Sequence, residues 1–204
     1  MLRAALLLFT LLNVPLTALA DSATAVFAGG CFWCMESDYQ EVEGVTGVVS
    51  GFTGGALPNP TYSGNHQGHF EAVEVTYDPA VISYPQLLDL FWRSIDPFDN
   101  KGQFCDKGAS YRSAIFPGNA SERALAEASK AAVAERFRDR TVYTEIEDAG
   151  TFWPVEEYHQ DYYLKNPVRY KYYRWNCGRD QRLQEIWGDE AGAHGDATQP
   201  AAQP

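Results

Sequence analysis

Positive charge is in short supply in this 204-residue chain. Sixteen lysines and arginines stand against 27 aspartates and glutamates, for a formal net charge of −11 and a pI near 4.7. That balance argues against nucleic acids and anionic membranes as partners, because both are bound through clustered basic residues. After residue 20 no stretch approaches the ~20 apolar residues of a membrane span, so the mature chain is not expected to cross a bilayer. No segment repeats another. There is a C-x-x-C pair at Cys31 and Cys34 but no second such pair, which removes support for a structural zinc site.

The amino terminus has the layout of a secretory signal. Arg3 supplies the charge, residues 4–12 an apolar run, and Ala18-Leu19-Ala20 a small-x-small cleavage site. Residues 1–20 are therefore expected to be removed after Ala20, and export to a periplasm is the expected destination. The remainder fits one domain over residues 21–188, with a core rich in its five Trp, twelve Tyr and eleven Phe. From Asp189 onward the sequence offers Gly, Ala, Gln and Pro with nothing to pack, and residues 189–204 are expected to form a disordered tail.

Strands are predicted at residues 24–28, 45–52, 70–77, 111–116 and 141–146 from β-branched or alternating apolar residues. Helices are predicted from Phe32 to about residue 43 and from Ser83 to Ile95, the second opened by an S-x-x-Q box. A third is expected after Asn119, burying Leu125, Ala128, Ala132, Val133 and Phe137. This alternation suits an α+β fold, an α/β two-layer sandwich with a mixed sheet, flanking helices and a ferredoxin-like core.

The chemistry centres on Gly29-Gly30-Cys31-Phe32-Trp33-Cys34, which reads as strand, sharp turn and helix start. A cysteine at a helix amino terminus meets unpaired amides and the positive dipole end, which favour thiolate. Cys34 follows one turn later, close enough to trap oxidised Cys31 as a disulfide. A reactive thiol outside the cytoplasm needs reducing electrons, implying a thioredoxin-like donor. Phe32 and Trp33 would either shape a pocket for a small apolar group or simply pack the helix. In 70–77 Glu71 shares its face with Val73, Val75 and Tyr77, an environment that raises a carboxyl pKa and makes a general acid; the alternative is an ion pair with Arg112. His66, His69 and Glu71, or Glu156 and His159, have weak metal-ligand spacing, and no metal is expected. The loop after Asp96 carries Asp99, Cys105 and Asp106 and is long enough to be functional. With four cysteines, two structural disulfides in a secreted binding domain is a competing reading, as is a thioredoxin-type disulfide oxidoreductase.

Taken together, Gly30-Cys31-Phe32-Trp33, Gly51-Phe52-Thr53-Gly54-Gly55, Gly68-His69-Phe70-Glu71, Asp106 with Gly108, Tyr111-Arg112-Ser113 and Glu157-Tyr158-His159-Gln160-Asp161-Tyr162 resemble the peptide methionine sulfoxide reductase A family over about residues 24–165. The resemblance implies reduction of the S epimer of methionine sulfoxide, free or in oxidised proteins, with no cofactor. In it Cys31 attacks sulfur, Phe32 and Trp33 cradle the methyl group with Phe52 nearby, and Glu71 protonates the oxygen. Asp106 and Tyr111 surround that oxygen and an ordered water. A sulfenic acid on Cys31 would condense with Cys34 or Cys177, Cys105 being a further thiol within possible reach, and thioredoxin or a similar dithiol would reopen the disulfide. A monomer is expected. Many family members have tyrosine where Phe52 stands, so one hydroxyl is expected to be missing, and many have glycine where Cys34 stands.

Overall fold

The computed structural model describes residues 22–192, so the expected signal peptide and residues 193–204 of the expected tail lie outside the described residues. The strands are β1 (Ala23–Gly29), β2 (Val45–Thr53), β3 (Phe70–Tyr77), β4 (Gly102–Gln103), β5 (Asp106–Lys107), β6 (Ser113–Phe116), β7 (Glu145–Ile146) and β8 (Trp153–Pro154). The helices are α1 (Phe32–Gln40), α2 (Tyr84–Arg93), α3 (Ala120–Arg136), α4 (Tyr162–Lys165), α5 (Pro167–Asn176) and α6 (Arg179–Trp187).

Six strands form one sheet in the order β7-β6-β1-β3-β2-β8, and β4 pairs with β5 in a separate ribbon. All neighbours in the large sheet are antiparallel except β6 and β7, which makes it mixed. Within it β1-α1-β2-β3-α2-β6 is a split βαβ arrangement, with the four strands ordered β6-β1-β3-β2 as in a ferredoxin-like core.

The β-period of two sorts β3 between two environments. Val73 and Val75 join Phe27, Met35, Tyr39, Leu87 and Phe91 in the large core under α1 and α2, where Phe27 stacks on Tyr39 at 5.4 Å. Phe70 and Ala72 join the smaller cluster with Ala28, Ala114 and Phe116 on the other side. Glu71 thus lies on the helix-covered face, and only 1% of its surface is exposed.

Several boundaries differ from expectation. Tyr111 ends a 3-10 turn, Ala109–Tyr111, and its strand starts at Ser113; of residues 141–146 only Glu145–Ile146 pair. On α3 the buried positions are Ala126 and Val133, whereas Leu125, Ala128 and Ala132 face outward. Contact with α2 sets that phase, because Trp92 Nε1 donates to Ser129 Oγ at 2.9 Å. Residues 165–188, basic and aromatic in sequence, contain α5 and α6. The expected tail begins too early at Asp189: Gly188–Glu190 is a 3-10 turn, and Glu190 is paired with Arg93 and Arg136 at 2.8 Å each.

Candidate active site

The turn from β1 into α1 depends on its two glycines for different reasons. A Cβ on Gly29 would sit 2.3 Å from Met35 Sδ, and Gly30 has φ of +85°, a left-handed conformation. Cys31 is the N-cap of α1, and its carbonyl receives the amides of Cys34 and Met35 at 3.1 and 3.3 Å. The Phe32 amide donates to Glu71 Oε2 at 3.2 Å, which ties the nucleophile's turn to β3.

A cavity of about 50 Å³ opens beside this turn. Cys31, Phe32 and Trp33 form one side, Glu71 comes from β3, Asp106 from β5 and Tyr111 from the 3-10 turn. Tyr62 and Tyr173 complete the lining. The structure therefore brings together all four residues expected to do chemistry and both expected to hold the methyl group. Trp33 is fixed from three sides: it stacks on Tyr162 with centroids 3.8 Å apart, meets Tyr173 edge-on, and donates Nε1–H to His159 Nδ1 at 3.0 Å.

Phe52 does not line the cavity. It is fully buried behind Phe32, edge-on at 5.9 Å, and stacks on His66 at 4.9 Å. A hydroxyl at that position would not reach the cavity, so the expected loss does not apply; the tyrosine that does line it from a loop is Tyr62, which the sequence reading missed. Tyr62 sits in the Pro- and Gly-rich loop, its amide donating to Glu156 Oε2 at 3.3 Å and its ring 4.1 Å from His159. The signal available was a lone tyrosine in a loop of turn-forming residues. The histidines noted for metal spacing have other engagements. His69 accepts from the Gly55 amide at Nδ1 and bonds the Leu57 carbonyl through Nε2, while His159 receives Trp33.

The electrostatics separate the roles. Burial, helped by the charge of Asp106, pushes Glu71 up to about 8, against the opposing Phe32 amide and Tyr111 hydroxyl. Its other oxygen, Oε1, is buried without a hydrogen-bond partner. Arg112 is not its counter-ion, since Arg112 pairs with Glu145. Burial also raises the Cys31 thiol well above the usual range, reinforced by Cys34 and by the charge of Glu71. Cys34 moves the other way, lowered by its hydrogen bond with Cys31 and by the charges of Arg179 and Arg174. In the resting pair the thiolate is thus favoured on Cys34. The expected helix-start activation of Cys31 is outweighed by burial and by commitment of the Phe32 amide to Glu71.

Both arginines come from the carboxy-terminal helices. Arg174 bonds Asp38 at 2.6 Å and Asp180 at 2.7 Å. Arg179 is 2% exposed, donates to Ser94 O at 2.7 Å and lies over the Phe104 ring. Cys31 and Cys34 are free thiols, 6% and 2% exposed, whereas Cys105 and Cys177 form a disulfide. The reading with all four cysteines in two disulfides is thereby overturned. Cys177, expected as a candidate resolver, is paired with Cys105 and not with Cys31.

Comparison with known proteins gives a single answer. The family described as "Peptide methionine sulfoxide reductase" matches residues 23–191. "Peptide methionine sulfoxide reductase MsrA 2" of Caulobacter vibrioides is 51% identical over 179 residues, 86% of this chain and 91% of that protein. MsrA of Bacillus licheniformis is 52% identical over 169 residues, covering 80% and 93%. Among solved structures, methionine sulfoxide reductase A of Corynebacterium diphtheriae superposes with a TM-score of 0.63 at 30% identity, covering 78% of this chain and 79% of that one. Reduced Mxr1 from Saccharomyces cerevisiae gives 0.66 at 29%, covering 72% and 87%.

Proposed function

The chain belongs to the peptide methionine sulfoxide reductase family and reduces methionine sulfoxide, and from that premise we propose how its own residues carry out the reduction and on which substrates. The substrate is the S epimer, free or within oxidised proteins, as the family resemblance implies. Its methyl group rests on Phe32 and Trp33. The observation that carries the assignment of roles is the state of Glu71: a buried carboxyl at the cavity wall, kept protonated near neutral pH, with Oε1 unpartnered. The Glu71 proton goes to the sulfoxide oxygen as the Cys31 thiolate bonds to sulfur. The hydroxyl then passes to the Cys31 sulfur as the S–O bond and the new bond between the two sulfurs both break, which releases methionine and leaves a sulfenic acid on Cys31 and a carboxylate on Glu71. Tyr62 and Tyr111, each held neutral by a raised pKa, supply hydroxyls near that oxygen.

Cys34 then attacks the sulfenic acid, expelling water and forming a Cys31–Cys34 disulfide. Its lowered pKa and its hydrogen bond to Cys31 support it as the first resolver over Cys177. A thioredoxin-like dithiol returns both thiols to the reduced state; in the same family, Mxr1 of yeast has been crystallised in complex with Trx2. Glu71, Asp106 and Tyr111, which surround Cys31 at the cavity, have no role in thioredoxin-type disulfide exchange and speak against that reading. All groups invoked come from one chain, which fits action as a monomer. Export with cleavage after Ala20 is supported by residues 1–20, and an oxidising compartment suits the Cys105–Cys177 bond.

The test is an assay on each epimer of methionine sulfoxide with Cys31→Ser as control, followed by mass mapping after one equivalent. Turnover of the S epimer alone and a Cys31–Cys34 link are expected. Activity retained in Cys31→Ser overturns the mechanism.

A further inference from the structure

Resting on that reading, we propose that Tyr173 and Asp106 form a proton wire that deprotonates Cys31 for attack, and that the Cys105–Cys177 disulfide holds the wire in place. The reaction needs a Cys31 thiolate, yet three of the four amides at this helix start are engaged elsewhere. The Phe32 amide is given to Glu71, and the Cys34 and Met35 amides to the Cys31 carbonyl. Tyr173, a residue of α5, packs against the Cys31 and Cys34 cluster and lines the same cavity wall, and its hydroxyl opposes the rise of the Cys31 thiol. Its hydroxyl also donates to Asp106 Oδ2 at 2.5 Å.

A phenol has one proton to give. With that proton on the Asp106 side, the Tyr173 oxygen is an acceptor for the Cys31 S–H. The Cys31 proton passes to Tyr173 Oη while the Tyr173 proton passes to Asp106 Oδ2. The negative charge moves from the carboxylate to the sulfur, the phenol ends neutral and donating to the thiolate, and no proton is lost or gained overall. Tyr173 suits a relay because burial, together with the neighbouring thiols, lifts it far above the phenol range, so it never holds the charge. Asp106 suits the base because burial raises its basicity, while partial exposure lets the proton leave to water.

The disulfide spans the two members of the wire. Cys105 precedes Asp106, and Cys177 lies one turn beyond Tyr173, its amide bonded to the Tyr173 carbonyl at 2.9 Å. A carboxylate oxygen of Asp106 and both sulfurs lie within 4.8 Å of one another. The β4–β5 ribbon that carries Asp106 has only two residues per strand, too little to fix a side chain by itself. This holding role acts on the first turnover, before any recycling, and is separable from a resolving role for Cys177.

The experiment is one turnover on fully reduced Cys31 and Cys34 without added reductant, read as methionine formed, together with the pH dependence of Cys31 alkylation followed by peptide mapping. Tyr173→Phe is expected to slow the first turnover about 10- to 100-fold, to shift Cys31 alkylation to higher pH, and to leave the half-saturating sulfoxide concentration near wild type. Asp106→Asn should act in the same direction, with the double variant no slower than the slower single one. Cys105→Ser/Cys177→Ser should lose several-fold with the same shift. Mild thiol treatment of the wild type, which opens the exposed disulfide without refolding, should reproduce that loss and reverse on reoxidation. A Tyr173→Phe enzyme with wild-type rate and alkylation profile overturns the wire, as do Tyr173 and Asp106 losses that multiply. An unchanged first turnover after opening the disulfide overturns the holding role. No methionine from the wild type defeats the underlying assignment of Cys31 instead.

Discussion

Glu71 owes its chemistry to the period of a strand. One residue earlier or later it would face the other side of the sheet; where it stands, burial keeps its carboxyl protonated up to about pH 8. The reduction step should therefore hold its rate below about pH 8 and fall as Glu71 ionises above it, a limb that a single-turnover pH profile will show and Glu71→Gln will lack. That variant should also react about 100-fold more slowly. Stability follows the same sign. Between the ordinary value of 4.5 and about 8 the unfolded chain has lost a proton that the folded chain retains, so folding is progressively disfavoured as pH rises. Glu71→Gln should remove that slope, measured as urea midpoints across pH 4 to 9 (roughly the span of the two values).

The two aromatic positions near Phe32 make opposite predictions. Tyr62→Phe deletes a cavity hydroxyl and should lower the first-turnover rate about 10-fold while leaving the melting temperature near wild type. Phe52→Tyr should gain no activity, because the new hydroxyl would be buried away from the cavity, and should destabilise by about 1–3 kcal/mol in thermal or urea unfolding.

Among elements, α5 and α6 do more for the site than their sequence suggested. Arg174 reaches from α5 to Asp38 on α1, whose side chain is 7% exposed. Arg174→Ala would leave that carboxylate with Arg179 alone, 3.8 Å away, and should cost about 1–3 kcal/mol in urea unfolding. It also removes one of the two charges favouring thiolate on Cys34, so resolution of the sulfenic acid should slow in a quenched mass-mapping time course. None of this was legible beforehand. Only Tyr170 of α5 is fully buried, Val168, Tyr172 and Trp175 are exposed, and the helix has no apolar stripe to reveal its facing side. By contrast Cys31, Phe32, Trp33 and Glu71 were readable, because a turn between two glycines and a period-two strand are local features. Tyr62 and Tyr173 reach the cavity through a loop and a helix anchored by distant partners, Glu156 and Asp106, and carry no local periodicity. The short strand β7 was overextended for a related reason: its β-prone flank, residues 141–144, finds no partner strand.

On the scale of the whole molecule, the carboxy terminus is fastened by charge as well as by packing. Glu190 is held to about 2 by its hydrogen bonds to Arg136 and Arg93, so its contribution is complete above about pH 4.5 and is lost as pH falls toward about 2. The carboxylate is 44% exposed, and Glu190→Gln should therefore cost under about 1 kcal/mol in urea midpoint, less at high salt.

The outermost strands of the large sheet, β7 and β8, have two residues each, and β8 ends in Pro154. On the oxidised proteins proposed as its substrates the enzyme would work among partly unfolded chains, whose free amides and carbonyls seek any open sheet edge. The β8 border, with a residue that lacks an amide hydrogen, and Gln160, whose side chain takes the amide and carbonyl of Ser50, close the β2 edge from Ser50 to Phe52 to such chains. Along that stretch the sheet offers a bound chain no strand to pair with.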